Sequence, residues 1–462
     1  MPARIFIFFV IISCFLVRVA AAAGVPVTAF TGASVINESG TAFESGSTII
    51  IRDGKIVAIG RSGAVTIPAG ARTVPLNGRY VVPGLVNSHV HLATLAVPAQ
   101  ARAYLRRELY SGVTMVRDMA GDVRLLAELQ REAAADEIVA PDIYYASLFA
   151  GPSFFVDPRS HDASRGIEPG KAPWMQAISP ETDLRLAVAR AKGTGATAIK
   201  LYADLPAPLV TAITAEAHRQ SLLVWSHAAI FPARPSEIVE AGVDVMSHAD
   251  FIGFESITPF PQSFQQARRT DLSAWKLTPA VSSVLSKMKS RGLILDATVD
   301  VGFRDPIPTW PASVAVQLAR EAHKRGIPIS AGTDDDADWK DPNSALLAEI
   351  ERLVHDVGMT NAEALRAATV VGARTVGEQA TLAAGHAANF VVLGADPLQD
   401  IRNLRNVILV VKHGIEHQRS AYEPATSAPT ASNAGHSFRH QPGTYTRRAA
   451  PERQWSAESP LS

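Results

Sequence analysis

Between residues 83 and 375 the chain alternates short apolar runs with amphipathic segments. Eight runs have the length and composition of buried strands: YVVPGLVN, GVTMVRD, DIYYASL, TAIKLYA, LLVWSH, VDVMSH, LILDATV and IPISAGTD. Near-continuous apolar character, rather than strict alternation, marks strands covered on both faces, as in parallel sheets. Segments 184–192, 208–220, 313–325 and 343–357 carry helical patterning and fall between or after these runs. Strands joined by helical crossovers form a parallel sheet, and eight of them predict an α/β fold of the TIM-type (β/α)8 barrel class rather than an open doubly wound sheet.

The flanks follow a different pattern. Residues 24–82 read as short strands and turns, with Asp53-Gly54 placed to turn a hairpin. Strand-like patterning returns at AANFVVLG and NVILVVKHG. Neither end can build a core alone, so 24–82 and 379–417 are expected to pair into one small β-sandwich bracketing a barrel of residues 83–378. Residues 418–462 turn to Ala, Ser, Pro, Thr and Arg without periodicity and read as a disordered tail. Two aperiodic stretches, 149–182 and 251–277, are long enough to be functional loops, and both would emerge on the carboxyl face of the barrel.

Residues 1–23 join a basic start to an apolar run and a small-residue site near Ala23, the pattern of a secretory signal peptide. The run is shorter than the ~20 residues of a membrane span, and Arg18 interrupts it. Export to the periplasm or medium follows as the expectation, with lipid anchoring at Cys14 as the alternative. Cys14 is the sole cysteine of the 462-residue chain, so a processed protein would hold no thiolate, and any metal site must use nitrogen and oxygen. With 44 basic and 44 acidic side chains the sequence carries no electrostatic footprint for nucleic acid. A small-molecule substrate is the expected partner, and a homo-oligomer is compatible with the composition.

The candidate chemistry lies at the ends of the apolar runs. His89 and His91 are one residue apart, so strand alternation can send both imidazoles to one side. Lys200, inside an apolar strand, should cost several kcal/mol of desolvation unless neutral, paired or ligated. A desolvated amine can add carbon dioxide and become a carbamate, a carboxylate able to bridge two cations; a salt bridge or a snorkelling head group would also account for it. His227, His248 and Asp334 each close an apolar run. Singly, each is as compatible with a packed histidine or a capping aspartate as with a ligand; together they make a nitrogen and oxygen set for two divalent ions, which suits zinc, with manganese, cobalt or iron open. Tyr202, two residues beyond Lys200, should face the same mouth, as a hydrogen-bond donor to substrate or as packing. Arg117 could bind a substrate carboxylate or pair with Asp118, and His161 and Arg234 are substrate-binding candidates by position in the loops.

The blocks VVPGLVNSHVHL, SGVTMVRDMAG, GATAIKLYAD, VWSHA, AGVDVMSH, ISAGTD, TNAEALRAATVVGA and AAGHAANFVVLGADPLQDI, in this order, resemble the amidohydrolase superfamily, within it the imidazolonepropionase-like and Xaa-Pro dipeptidase-like branch with a carboxylated lysine. The resemblance runs from about residue 28 to 417. It implies that His89, His91, carboxylated Lys200 and Asp334 hold one metal ion, and that carboxylated Lys200, His227 and His248 hold the second. It further implies that water activated by the two ions attacks an amide carbonyl while Asp334 moves the proton to the leaving nitrogen. The implied activity is an exported binuclear hydrolase of carbon–nitrogen bonds, peptide bonds among them, acting on a dipeptide or N-acyl amino acid. The same centre could open a cyclic amide, a lactone or another ester, and a ligand-binding protein on a silent barrel is the alternative outside enzymes. Two departures stand out: Asn87 where an Asp commonly precedes His-x-His, and FAGPSFFVDPRSHDASRG in place of a glycine- and histidine-rich loop after the third strand.

Overall fold

The computed structural model describes residues 27–307, 309–335 and 341–424, so the expected signal peptide of residues 1–23 and the expected tail beyond 424 lie outside the described residues. Five strands come first: β1 (Thr28–Ile36), β2 (Phe43–Arg52), β3 (Lys55–Arg61), β4 (Arg72–Pro75) and β5 (Tyr80–Pro83). Asp53 and Gly54 turn the β2–β3 hairpin with φ of 52° and 71°, the left-handed pair that a two-residue turn needs. Then follow β6 (Leu85–Val90), β7 (Val113–Asp118), β8 (Asp142–Ala150), β9 (Lys171–Ala172), β10 (Met175–Ala177), β11 (Ala198–Leu201), β12 (Leu223–His227), β13 (Val245–Ser247), β14 (Ile294–Asp296) and β15 (Ile329–Ser330). The chain closes with β16 (Phe390–Leu393), β17 (Val407–Lys412) and β18 (Ile415–Gln418).

Strands β6, β7, β8, β11, β12, β13, β14 and β15 pair in parallel, in that order. The ring closes where β15 returns to β6: Ser88 N donates to Ala331 O at 3.0 Å and His91 N to Asp335 O at 3.1 Å. This is the expected barrel, with one revision. The run YVVPGLVN is two strands rather than one, because Gly84 lies so close to β7 that a Cβ there would come within 2.1 Å of Thr114 Oγ1. The chain breaks at that contact, sending Tyr80–Pro83 to the flanking sheet and Leu85–Val90 to the barrel.

The flanking sheet draws on both ends of the chain, in the order β18-β17-β16-β5-β1-β2-β3 with β4 beside β1. Its first strand forks: residues 28–31 pair with β4 and residues 34–35 with β5, across bulges around Gly32. Phe30 and Phe390 lie two strands apart along the sheet, yet their rings meet edge to face at 5.2 Å, so the sheet curls around its own core. Residues 419–421, read from composition as tail, form a 3-10 turn instead, and Arg419 donates to Pro342 O and Asn343 Oδ1, both at 3.1 Å. No helix among the described residues is long and apolar enough to cross a membrane.

A buried cation ties sheet to barrel. Lys412 Nζ, on β17, reaches Asp142 Oδ1 on β8 at 3.0 Å and donates to Ala133 O at 3.1 Å. Burial pushes the Asp142 carboxyl up, but His413 and Lys412 together hold it below its ordinary value. Breaking a fully buried pair costs about 3–5 kcal/mol, and here His413 Nε2 stays 2.9 Å from the carboxylate, so the loss falls below that range. Lys412→Ala is therefore expected to lower the melting temperature by several degrees. Asp142 stabilises the fold above its unfolded value and loses that contribution as pH falls through its depressed folded value. The deficit should thus be full at pH 7 and shrink in strong acid, which thermal melts across pH would read; equal melting points at pH 7 would refute the seam.

Candidate metal centre

The six residues at the strand ends converge at the carboxyl mouth of the barrel. His89 sits within β6 with His91 just past its end, Lys200 is in β11, His227 ends β12 and His248 follows β13. Asp334 lies four residues beyond the end of β15, on an extended segment held by Thr333 N and Asp334 N donating to His89 O at 3.2 and 3.0 Å. Asp334 Oδ1 is 3.1 Å from both His89 Nε2 and His91 Nε2, and Oδ2 is 3.8 Å from His248 Nδ1. Ring centroids of His227 and His248 are 4.7 Å apart, and those of His89 and His248 are 5.0 Å apart. His248 and Asp334 both have positive φ, 71° and 50°. For non-glycine residues such backbone costs ~1–3 kcal/mol and persists where surrounding bonds impose it. Here the bond from His248 N to Asp296 O, 3.0 Å, and that from Asp334 N do so.

The electrostatics of this cluster suit a cation. Asp296, at the end of β14, is fully buried, and its Oδ2 faces His89 Nδ1 at 2.6 Å and accepts from Arg117 Nη2 and Ser247 Oγ, both at 2.8 Å. Burial would raise this carboxyl, but His89 and Arg117 hold it down at about 2, so it is ionised and can only accept. His89 Nδ1 is therefore the donor. In a neutral imidazole that leaves a lone pair on Nε2, facing another acceptor, Asp334 Oδ1, at 3.1 Å. Two acceptors at that distance need a shared positive charge, a proton on Nε2 or a metal ion. Two more atoms at the mouth lack partners: Lys200 Nζ and His227 Nδ1 are buried with no hydrogen bond. Burial, and then Arg117, push the Lys200 amine down to about 7, against the pull of Asp296 and Asp334. Burial lowers His248 to about 3 and His227 well below its ordinary value, so both are neutral with lone pairs available. His89, His248 and Asp334 can each offer an atom within 4.8 Å of the others, a spacing one metal ion could bridge. The nitrogen and oxygen donors thus fit a divalent metal ion.

Of the other predicted site residues, Tyr202 is placed at the mouth, its ring 4.2 Å from His227 and 4.7 Å from Phe154. Burial raises its phenol, so it stays protonated and able to donate. Arg117 is fully buried, donates from Nε to Ser88 O at 2.5 Å, lies 4.8 Å over Trp225, and pairs with Asp296 at 2.8 Å rather than with Asp118. Arg234 occupies the N-cap position of the helix Pro235–Ala241, its guanidinium 4.2 Å over Phe260, and His161 is exposed on the short helix Pro158–Ala163; neither contact joins them to the histidine cluster.

Three contributors escaped the sequence reading. Asp296 interrupts LILDATV as Lys200 interrupts TAIKLYA, and that signal could have found it. Thr298 Oγ1 lies 3.0 Å from His248 Nδ1. Arg159 pairs with Asp157 at 3.0 Å and lies 5.8 Å from the Tyr202 ring; only the fold of the 149–182 loop brings it there. That loop and 251–277 also supply Phe154, Phe251 and Phe264, whose rings pack on Tyr202 and on the histidine cluster, with centroids at 5.2 Å from Phe251 to His227 and 5.6 Å from Phe264 to Tyr202. The mouth thus has an aromatic wall on the His227 side, while the side chains of His91 and Asp334 keep 18% and 23% exposure.

The sequence profile of the Amidohydrolase family matches residues 80–415. A 5-methylthioadenosine/S-adenosylhomocysteine deaminase of Symbiobacterium thermophilum is 32% identical over 138 residues, an alignment that spans 27% of this chain and 27% of that relative. Among solved structures, a Xaa-Pro dipeptidase with bound methionine superposes with a TM-score of 0.67 at 18% identity, covering 85% of this chain and 100% of that one. A candidate prolidase from Bifidobacterium longum superposes at 0.62 with 25% identity, covering 87% and 96%.

Proposed function

The chain belongs to the amidohydrolase family, and on that premise we propose that it is an exported two-metal hydrolase of carbon–nitrogen bonds, cleaving the amide bond of a dipeptide or N-acyl amino acid. The metal reading is supported by the buried, unpartnered Lys200 amine and His227 nitrogen beside the close approach of His89 Nε2 to Asp334 Oδ1, and the second ion by a donor set larger than the roughly four ligands one zinc ion takes. In this proposal His89, His91, Lys200 as its carbamate and Asp334 hold one divalent ion, and Lys200, His227 and His248 the other. Bound, the cations would supply an acidified water and a polarised carbonyl. Asp334, ionised and partly exposed, accepts the proton of the attacking water and delivers it to the leaving nitrogen. The Tyr202 hydroxyl donates to the carbonyl oxygen as charge gathers there. The aromatic wall excludes water and favours an apolar group beside the scissile bond. Export rests on the basic start and apolar run of residues 1–23.

A release assay over dipeptides and N-acyl amino acids, run with metal-replete protein, tests the substrate class. Product from one of these sets is expected; uniform inactivity there with turnover of cyclic amides or esters would refute it. Tyr202→Phe removes the proposed donor and keeps the ring that packs on His227. It should lower kcat by about 10²-fold with KM changed little, and an unchanged kcat would reduce Tyr202 to packing.

A further inference from the structure

We infer that Asp296 and Arg117 act as a positioning pair for the metal-binding set, in which Asp296 fixes His89 with its Nε2 lone pair toward Asp334 and Arg117 keeps the Asp296 carboxylate in place. The inference rests on the metal centre proposed above. It goes beyond it by assigning a task to two buried charges that neither bind substrate nor ligate metal.

Geometry carries the argument. One oxygen, Asp296 Oδ2, gathers three donors from three strands: His89 Nδ1 from β6, Arg117 Nη2 from β7 and Ser247 Oγ from β13. The Asp296 backbone oxygen accepts from His248 N at 3.0 Å, so one residue orients two of the histidines. Arg117 in turn is clamped twice, by Ser88 O through Nε at 2.5 Å and by the Trp225 ring 4.8 Å away. A buried guanidinium is a poor stabiliser if stability is all it serves, since desolvation of both ions offsets most of their attraction. A carboxylate behind a ligand imidazole has a more specific effect: it sets the tautomer and the ring plane, and losing such partners weakens metal binding by roughly 10–100-fold. Asparagine at 296 could donate as well as accept, so the His89 tautomer would no longer be fixed.

The test needs no substrate. The imidazole tautomer of His89 in metal-free wild-type protein is read from its nitrogen NMR shifts, and zinc affinity is measured by chelator competition for wild type, Asp296→Asn and Ser247→Ala. Expected, in buffer alkaline enough to keep His89 neutral, are the Nδ1–H tautomer in wild type, a mixture in Asp296→Asn, and a zinc Kd raised about 10–100-fold in Asp296→Asn. Ser247→Ala removes a donor from the same oxygen without touching His89 and should change the Kd less than about threefold. The Nε2–H tautomer in wild type, or unchanged zinc affinity in folded Asp296→Asn, would overturn the inference. Should Asp296→Asn fail to fold, the wild-type tautomer still decides. Wild type that takes up no zinc would sink the metal centre and this inference together, whereas wild type that binds zinc but releases no amide product would sink only the substrate reading.

Discussion

Lys200→Ala is expected to lose bound metal and hydrolytic activity together, the activity by at least about 10⁴-fold, a loss of ~5.5 kcal/mol of transition-state stabilisation. The lysine is 1% exposed on β11, between Leu148 of β8 and Trp225 of β12, and its amine has no hydrogen-bond partner. As an ammonium it would be an unpaired buried charge that repels cations. Burial and the neighbouring Arg117 push it down to about 7, so near neutral pH much of it is the free amine, the form that adds carbon dioxide. The sign follows: as pH rises through about 7 the amine fraction grows, and uptake of metal by metal-free protein in bicarbonate buffer should grow with it. Alanine removes both amine and carbamate while leaving space for a small carboxylate, so added acetate or formate should restore part of the metal binding. Metal analysis before and after bicarbonate depletion, with activity on the same samples, makes the check. A Lys200→Ala protein that keeps about two equivalents of metal per chain would sink the bridging role, and metal-free wild type with intact ligand binding would favour a silent barrel.

The legible part of this protein was the part governed by local chemistry. Apolar runs gave the eight barrel strands, because a strand covered on both faces has no room for alternation, and a lysine or histidine at the end of such a run is conspicuous. The same criterion points to Asp296, but an aspartate at a strand end is equally common as a cap. The split at Gly84 was not readable, since YVVPGLVN is continuous in hydropathy and the break depends on Thr114 of a neighbouring strand. Nor was the fate of Arg117: an arginine at a strand end looks the same whether it faces solvent or, as here, crosses the barrel interior to Asp296. The aromatic wall lies furthest from the sequence, because its rings come from two aperiodic loops whose paths tertiary contacts alone determine.

For Asp334→Asn the expectation is a fall of about 10³–10⁴-fold in kcat with much of the metal retained. Asparagine keeps the shape and one ligating oxygen and removes the charge and the capacity to take a proton. Burial would raise the Asp334 carboxyl, but His89 and His248 hold it well below the ordinary carboxylate range. It is then already ionised throughout the neutral range, and an acid limb in the wild-type rate profile should arise from a group other than Asp334. Stability offers a readout that does not depend on turnover. Without metal, and in buffer alkaline enough to keep His89 neutral, Asp334 Oδ1 faces the His89 lone pair at 3.1 Å, an arrangement that costs stability until a cation fills it. An asparagine amide can donate to that lone pair, so metal-free Asp334→Asn should melt at or above metal-free wild type in alkaline buffer. With metal bound the order should reverse, because binding to the folded state adds stability in proportion to affinity and the charged ligand binds more tightly. If the asparagine variant were less stable in both states, the carboxylate would be a structural anchor, and the facing-acceptor argument for the metal centre would fall with it.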